Sequence, residues 1–175
     1  AFVSAGTVHA IGAGILLAEI QQNSDITYRI YDWERTDAQG RARELHLDKA
    51  ARVTRFGETH IGASSPLSYQ REGTEVTILG ACKYFVNELI SVDGTCDRDT
   101  GGRSFHILMP RDGEMVIRAG EEVCVLPACR AALIPAGTRA YSITGTGKVL
   151  NYYVPDLEED VIRPLRDAGH GNVSI

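Results

Sequence analysis

Long apolar runs, basic charge, paired cysteines and clustered histidines are all missing from this chain, and each absence excludes something. No apolar stretch approaches the roughly 20 residues a membrane-spanning helix needs, so no membrane partner is expected. Lys and Arg total 18 against 23 Asp and Glu, a net charge of −5. That balance gives no general attraction to nucleic acid, and none is expected as a partner. The four cysteines, Cys82, Cys96, Cys124 and Cys129, form no Cys-x-x-Cys pair, which argues against a zinc knuckle or a thioredoxin-type centre. Cys82, Cys124 and Cys129 lie in apolar surroundings and are expected to behave as small buried hydrophobes. The first six residues lack the basic flank and long apolar core of a secretory signal and read as the inside of a strand. The expected compartment is the cytoplasm, where a disulfide framework is not expected. His46, His60, His106 and His170 show no ligand-like spacing and are expected as surface or core side chains.

What remains is ordinary globular composition, 43% hydrophobic and 23% charged. A chain of 175 residues can build one good-sized core or two small ones. Residues 14–22 alternate as a strand, with Ile15, Leu17, Glu19 and Gln21 on one face. Asn23-Ser24-Asp25 is a turn cluster. Residues 26–33, rich in Ile, Thr, Tyr and Trp, read as the second strand of a hairpin, with Thr27, Arg29 and Tyr31 sharing a face. Residues 46–55 carry a helical pattern, and 57–74 read as a surface linker. From 75 onward short strands recur at 75–79, 82–91, 104–109, 114–118, 122–126, 131–135, 140–143 and 148–154. Gly113, Gly120, Gly137, Gly145 and Gly147 punctuate them. This pattern argues for an all-β sandwich or barrel. Residues 157–168 can form a short terminal helix, weakened by Pro164.

His9 is the residue whose surroundings carry most information. It follows Ser4-Ala5-Gly6-Thr7-Val8, and the polar run Glu19, Gln21, Gln22, Asn23, Ser24, Asp25 and Arg29 comes shortly after. A metal centre needs three or four ligands, yet the chain starts eight residues before His9 and offers no second histidine nearby. It reads as the back half of an enzyme, entered partway through its catalytic domain. Ala5-Gly6-Thr7 is echoed by Ala136-Gly137-Thr138, each after an apolar strand, which suggests two related β-units.

Ser4-Ala5-Gly6-Thr7-Val8-His9 resembles the second cupin motif, Pro-x-Gly-x-x-His, with Ser4 in the proline position. Pro135-Ala136-Gly137 fits the same start, but Ala140 stands where the histidine belongs. The first cupin motif is absent. More specifically, residues 6–11, 19–25 and 27–32 resemble type I mannose-6-phosphate isomerases of the bacterial short form. Arg43-Glu44-Leu45-His46, Lys49-Ala50, Cys82-Lys83-Tyr84-Phe85 and Leu133-Ile134-Pro135-Ala136 continue the resemblance. It covers nearly all of this chain but only about the C-terminal half of such an enzyme.

The resemblance implies a cupin-type jelly roll (β-sandwich or barrel) with one or two short helices, and a zinc enzyme interconverting mannose 6-phosphate and fructose 6-phosphate. It implies His9 as the last zinc ligand, the other ligands lying upstream. It places Arg29 and Asp25 as catalytic residues. Such chemistry opens a sugar ring, moves a proton between neighbouring carbons and stabilises an enediol. A Lewis acid, a proton-shuttling carboxylate and an arginine each serve it. Glu19, Gln21 and Asn23 are expected near the sugar, Glu19 as a support for Arg29. The basic cluster Arg41, Arg43, Arg52 and Arg55 reads as a solvated face or a border of the phosphate site. On this reading residues 1–35 end the catalytic cupin domain, 36–74 link, and 75–175 form a second, metal-free cupin-like unit. Expected partners are the phosphorylated sugar and either the missing N-terminal half or a second copy. The alternative is a non-catalytic cupin module that binds a sugar or a partner chain.

Overall fold

The computed structural model describes residues 1–57 and 65–171, so His60 and part of the expected linker lie outside it. The chain divides into two compact units, Ala1–Ala63 and Ser64–Ile175.

The first unit contains, among its described residues, one helix, α1, Leu47–Val53. Its Leu, Lys, Ala and Arg residues favour helix, and Asp48 in the first turn and Arg52 in the last complement the helix dipole. Ala50 is its buried position, and Thr54 closes it by returning both its N–H and its hydroxyl to the Ala50 carbonyl. The expected strands at 14–22 and 26–33 are not formed: among the described residues, the only bridge pairing in this unit is Thr36 with Ala42. Strands need a ladder partner and a covered face, and no described residue offers either to these segments. Leu16 is 91% exposed and Ile26 70%. Tyr31 and Trp33 pack on each other, at 5.5 Å between ring centroids, while remaining exposed.

The second unit is an eight-stranded antiparallel sheet followed by a short helix. Its strands are β1 Leu67–Arg71, β2 Thr74–Cys82, β3 Phe85–Asp99, β4 His106–Pro110, β5 Glu114–Ala119, β6 Glu122–Pro127, β7 Ala132–Ile134 and β8 Ala140–Tyr153. The order is β1-β2-β3-β8-β4-β7, and β5 joins β8 to β6. β1 corrects the linker expected over 57–74. Arg71 pairs with Thr74 around Glu72-Gly73, both at positive φ, the two-residue turn whose twist suits a hairpin.

The sheet is organised by two long strands. β3 and β8 pair from Val86↔Tyr153 to Asp99↔Ala140. On its other side β8 pairs with β5 along its first half and with β4 along its second. Sequence punctuation at Gly145 and Gly147 suggested two strands, but β8 is continuous through both. A Cβ on Gly147 would lie 2.7 Å from Asp112 Oδ1 and 2.8 Å from the Asp112 carbonyl oxygen. One on Gly145 would meet Met115 Sδ at 2.6 Å. These glycines serve close backbone approach, not a turn. Gly94 of β3 pairs with Gly145, and all three glycines have positive φ.

Alternation along these strands builds the core. Val86, Glu88, Ile90 and Val92 of β3 point inward, as do His106, Leu108 and Pro110 of β4. One apolar cluster gathers Ile90, Leu108, Met115, Ile143 and Val149. A second joins Tyr69, Val76, Val86 and Tyr153 to Val161 and Leu165. Fully burying such an aliphatic side chain stabilises by about 1.5–3 kcal/mol. The expected terminal helix is a π turn, Glu158–Ile162, leading into α2, Arg163–Asp167. Pro164 sits at the start of α2, directly after the π turn.

The cysteines depart from expectation. All four are free; Cys96 is buried, Cys82 is half-buried, and Cys124 and Cys129 are exposed. Cys124 lies on β6, paired on one side only, and Cys129 sits in a turn at φ 61°. The echoed Ala-Gly-Thr segments share a local bond, Thr7 N–H to the Ser4 carbonyl and Thr138 N–H to the Pro135 carbonyl. They differ in backbone: Gly6 has φ 86°, whereas Ala136–Thr138 is a 3₁₀ turn.

Candidate functional site

Arg29 is the best-anchored of the residues singled out in the first unit. His46, just before α1, donates its backbone N–H to the Arg29 carbonyl at 2.7 Å and accepts the Arg29 N–H on Nδ1 at 3.1 Å. This pins residue 29 to the start of the helix. The guanidinium then reaches the Glu44 carbonyl at 3.4 Å and lies 3.9 Å from Asp32 Oδ1. Asp32 is buried and held by the Arg43 fork, with Nε on Oδ2 at 2.6 Å and Nη2 on Oδ1. The hydrogen bonds from Arg43 hold the Asp32 carboxyl below its ordinary range, with the charges of Arg43, Arg29 and Arg35 adding to them. Arg43 is thus not simply a solvated residue. One carboxylate serves two guanidiniums, which leaves a net positive face with Arg29 partly open to solvent.

Glu19, Gln21, Asn23 and Asp25 are exposed. Glu19 was expected to brace Arg29 across a strand pair; with no strand pair, Asp32 and the Glu44 carbonyl do so. His9 is exposed, and its Nδ1 lies 2.9 Å from the Thr7 carbonyl. A carbonyl only accepts, so Nδ1 is the donor in this contact and Nε2 is the ring nitrogen left without a partner in it. Gly6 supports this segment. Its carbonyl accepts the Arg55 N–H at 2.9 Å, and a Cβ there would lie 2.6 Å from the Val53 carbonyl oxygen. Among the described residues no group of three His, Cys, Asp or Glu can hold a metal ion. The described residues do not complete a metal site around His9.

The second unit holds a polar cluster that sequence reasoning did not single out. Glu88 is fully buried and accepts from Arg98 Nη2 at 2.6 Å, Asn151 Nδ2 at 3.1 Å and the Tyr153 hydroxyl at 2.7 Å. Burial alone would raise the Glu88 carboxyl. The charge of Arg98 and the bonds from Tyr153 and Asn151 outweigh it and hold the carboxyl low. His106 Nδ1 lies 2.7 Å from the Tyr141 hydroxyl. Burial, then the Arg98 charge, push its imidazole down to about 4. A signal for Glu88 was present: in Val86-Asn87-Glu88-Leu89-Ile90 the period-2 pattern puts a carboxylate among core positions.

Comparison with known proteins gives these arrangements a context. No family model matches the chain. Over 147 residues it is 36% identical to the mannose-6-phosphate isomerase ManA of Bacillus subtilis, covering 82% of this chain and 45% of that protein. Over 84 residues it is 44% identical to the mannose-6-phosphate isomerase of Streptococcus mutans, covering 48% and 26% respectively. Among solved structures, the mannose 6-phosphate isomerase of Bacillus subtilis matches with a TM-score of 0.64 at 26% identity, over 75% of this chain and 41% of that one. A point mutant of the phosphomannose isomerase of Salmonella typhimurium, at 18% identity and a TM-score of 0.53 over 64% of this chain and 28% of that one, shares the fold. The all-β, cupin-type class expected from the sequence is the class of these structures. The chain spans about half the length of the curated relatives it matches over most of its own. The curated matches are to mannose-6-phosphate isomerases and do not favour a non-catalytic binding module.

Proposed function

The chain belongs to the mannose-6-phosphate isomerase family, and from that premise we propose that it supplies the C-terminal portion of a zinc-dependent isomerase. The reaction interconverts mannose 6-phosphate and fructose 6-phosphate. The observation that carries this reading is the 147-residue match at 36% identity. The positively charged face around Arg29 supports it, since an anionic sugar phosphate needs a cation held in place.

In this proposal His9 offers Nε2 to the zinc ion, and the remaining ligands come from the upstream part of the enzyme. When bound, the ion polarises a sugar oxygen as a Lewis acid. Arg29, fixed by His46 and Asp32, stabilises the enediolate or contacts the phosphate. Asp25 moves the proton or opens the ring. Glu19, Gln21 and Asn23 bond the sugar hydroxyls, which their exposure leaves them free to do. Residues 1–35 then end the catalytic domain, 36–74 lead out of it, and 75–175, with β1 joined to their sheet, form the metal-free unit. No helix among the described residues is long and apolar enough to cross a membrane, and we place the enzyme in the cytoplasm. The upstream half, or a second copy, is the partner that completes the site.

The test is isomerase activity on mannose 6-phosphate with added zinc. The chain is assayed alone and co-expressed with the segment of a relative that precedes the matched region. Activity is expected in the paired sample and is expected to fall by about 100-fold or more in His9→Ala, which removes a ligand. A paired sample as active with His9→Ala as without it would sink the proposal.

A further inference from the structure

The second unit carries a cluster of cations that the isomerase reaction does not use. A cleft is lined by Arg71 at the end of β1, Arg98 near the end of β3, Arg103 in the following loop and His106 at the start of β4. Two carboxylates, Asp99 and Asp160, also line it, and the buried Glu88 pairs with Arg98, so three guanidiniums meet three carboxylates. Their pairings are unequal. Arg103 holds Asp160 at 2.6 Å. Arg71 stacks over the Tyr69 ring at 5.5 Å and makes no ion pair among the described residues.

Arg98 is the decisive member. Its side chain is 2% exposed, Nη2 is committed to Glu88, and Nη1 has no hydrogen-bond partner. A buried charged donor left unsatisfied is costly, and a bound ion or water is one way such a donor is satisfied. The neighbouring hydroxyls are already engaged. Thr100 gives its hydroxyl to the Ala136 carbonyl, and Ser104 gives its own to the Phe105 carbonyl while accepting the Val154 N–H. What the cleft has to spare is therefore guanidinium N–H, from Arg98 Nη1 and from Arg71. Neither donor suits a cation; both suit an oxyanion, which guanidiniums bind through charge-assisted bonds.

We propose that the second unit binds a small oxyanion, a phosphate group free or carried on a sugar, between Arg71 and the unpartnered nitrogen of Arg98, with Arg103 at the rim. The proposal stands independently of the isomerase reading, because no residue of the first unit takes part.

Calorimetric titration of the full chain tests it with three probes: inorganic phosphate, mannose 6-phosphate and mannose. Saturable binding is expected for at least one phosphate-bearing probe, weakened at least about tenfold in Arg71→Met and in Arg103→Met and unchanged in Arg130→Met, an exposed arginine of the same unit outside the cleft. Binding of inorganic phosphate shows that the free anion suffices. Binding of mannose 6-phosphate alone shows that the group must arrive on a sugar. Either supports the site. The proposal is overturned if neither phosphate probe binds, if mannose binds as well as they do, or if Arg29→Met abolishes binding that Arg71→Met leaves intact. Thermal unfolding of each variant confirms that it is folded before titration.

Discussion

At the scale of single residues, His106 shows how position sets chemistry. Strand alternation turns it into the core, with the Tyr153 ring at 4.8 Å and the Tyr141 ring at 5.7 Å. Burial and the Arg98 charge lower its pKa to about 4, with Arg71 pushing the same way and Glu88 and Asp99 opposing. An unfolded chain carries an ordinary histidine near pH 6.5, so the unfolded state takes up the proton first. The contribution of His106 to stability is complete above about pH 6.5 and lost as the pH falls toward about 4. It amounts to at most about 3 kcal/mol over that window. Glu88 acts lower: its depressed carboxyl adds stability above the ordinary carboxylate range and loses it as the pH falls through its folded value. Urea unfolding across this range is expected to show the slope in the parent and a flatter profile in His106→Phe. An identical slope in both would assign the effect elsewhere.

The structural elements are governed by a bend that no local pattern announces. Glu88 and Arg98 lie ten residues apart on the same strand, β3, which if straight would separate them by about 33 Å. They are hydrogen-bonded at 2.6 Å, so β3 curls over its own length and β8 curls with it. Gly94, Gly145 and Gly147 stand together in the ladder where it curls. Gly147→Ala is expected to cost about 1–3 kcal/mol, because its Cβ meets the Asp112 backbone. Gly94→Ala has open space around its Cβ and carries only the strain of a positive φ, about 1 kcal/mol. Denaturant midpoints of the two variants check the order; Gly94→Ala as the more harmful change would reject this account of the corner. Legibility at this scale was uneven. Strands β2 and β4 to β7 and helix α1 are readable from alternation and propensity, whereas β3 is readable only to residue 91 and continues through Gly94 to Asp99. β8 was read as two because glycine in a strand signals a turn and a close approach alike. β1 was read as linker because a five-residue strand offers only two or three inward positions to reveal its period.

For the whole molecule, the two units differ in how much holds them. The second has a continuous ladder and two apolar clusters. The first has, among its described residues, one short helix, a single bridge, and large apolar side chains left in water, Leu16 at 91% and Phe56 at 82% exposed. Regions with few backbone hydrogen bonds and little burial open at low free energy. Amides over 8–27 are therefore expected to exchange far faster than those of β3 and β8. If the upstream half that completes the site also supplies partner strands, its addition is expected to slow exchange over 14–22. Native-state hydrogen exchange with and without that half measures both; equal protection in the two units of the isolated chain would contradict this division.

Composition and pattern by themselves determined the all-β class, the helix at 46–55 and the positions of most strands, because these follow from side-chain period and local propensity. The motif around His9 and the block from 6 to 35 carried the family, because chemistry demands particular residue types at particular spacings. Tertiary structure alone decided which residues meet. It gave Asp32 to Arg29 in place of Glu19, joined Glu88 to Arg98 around a curled strand, and left the 14–22 segment unpaired. The reason is physical. Period and propensity act over a few neighbouring residues, whereas ladder partners, buried ion pairs and clefts are set by groups far apart in sequence and brought together only when the chain folds.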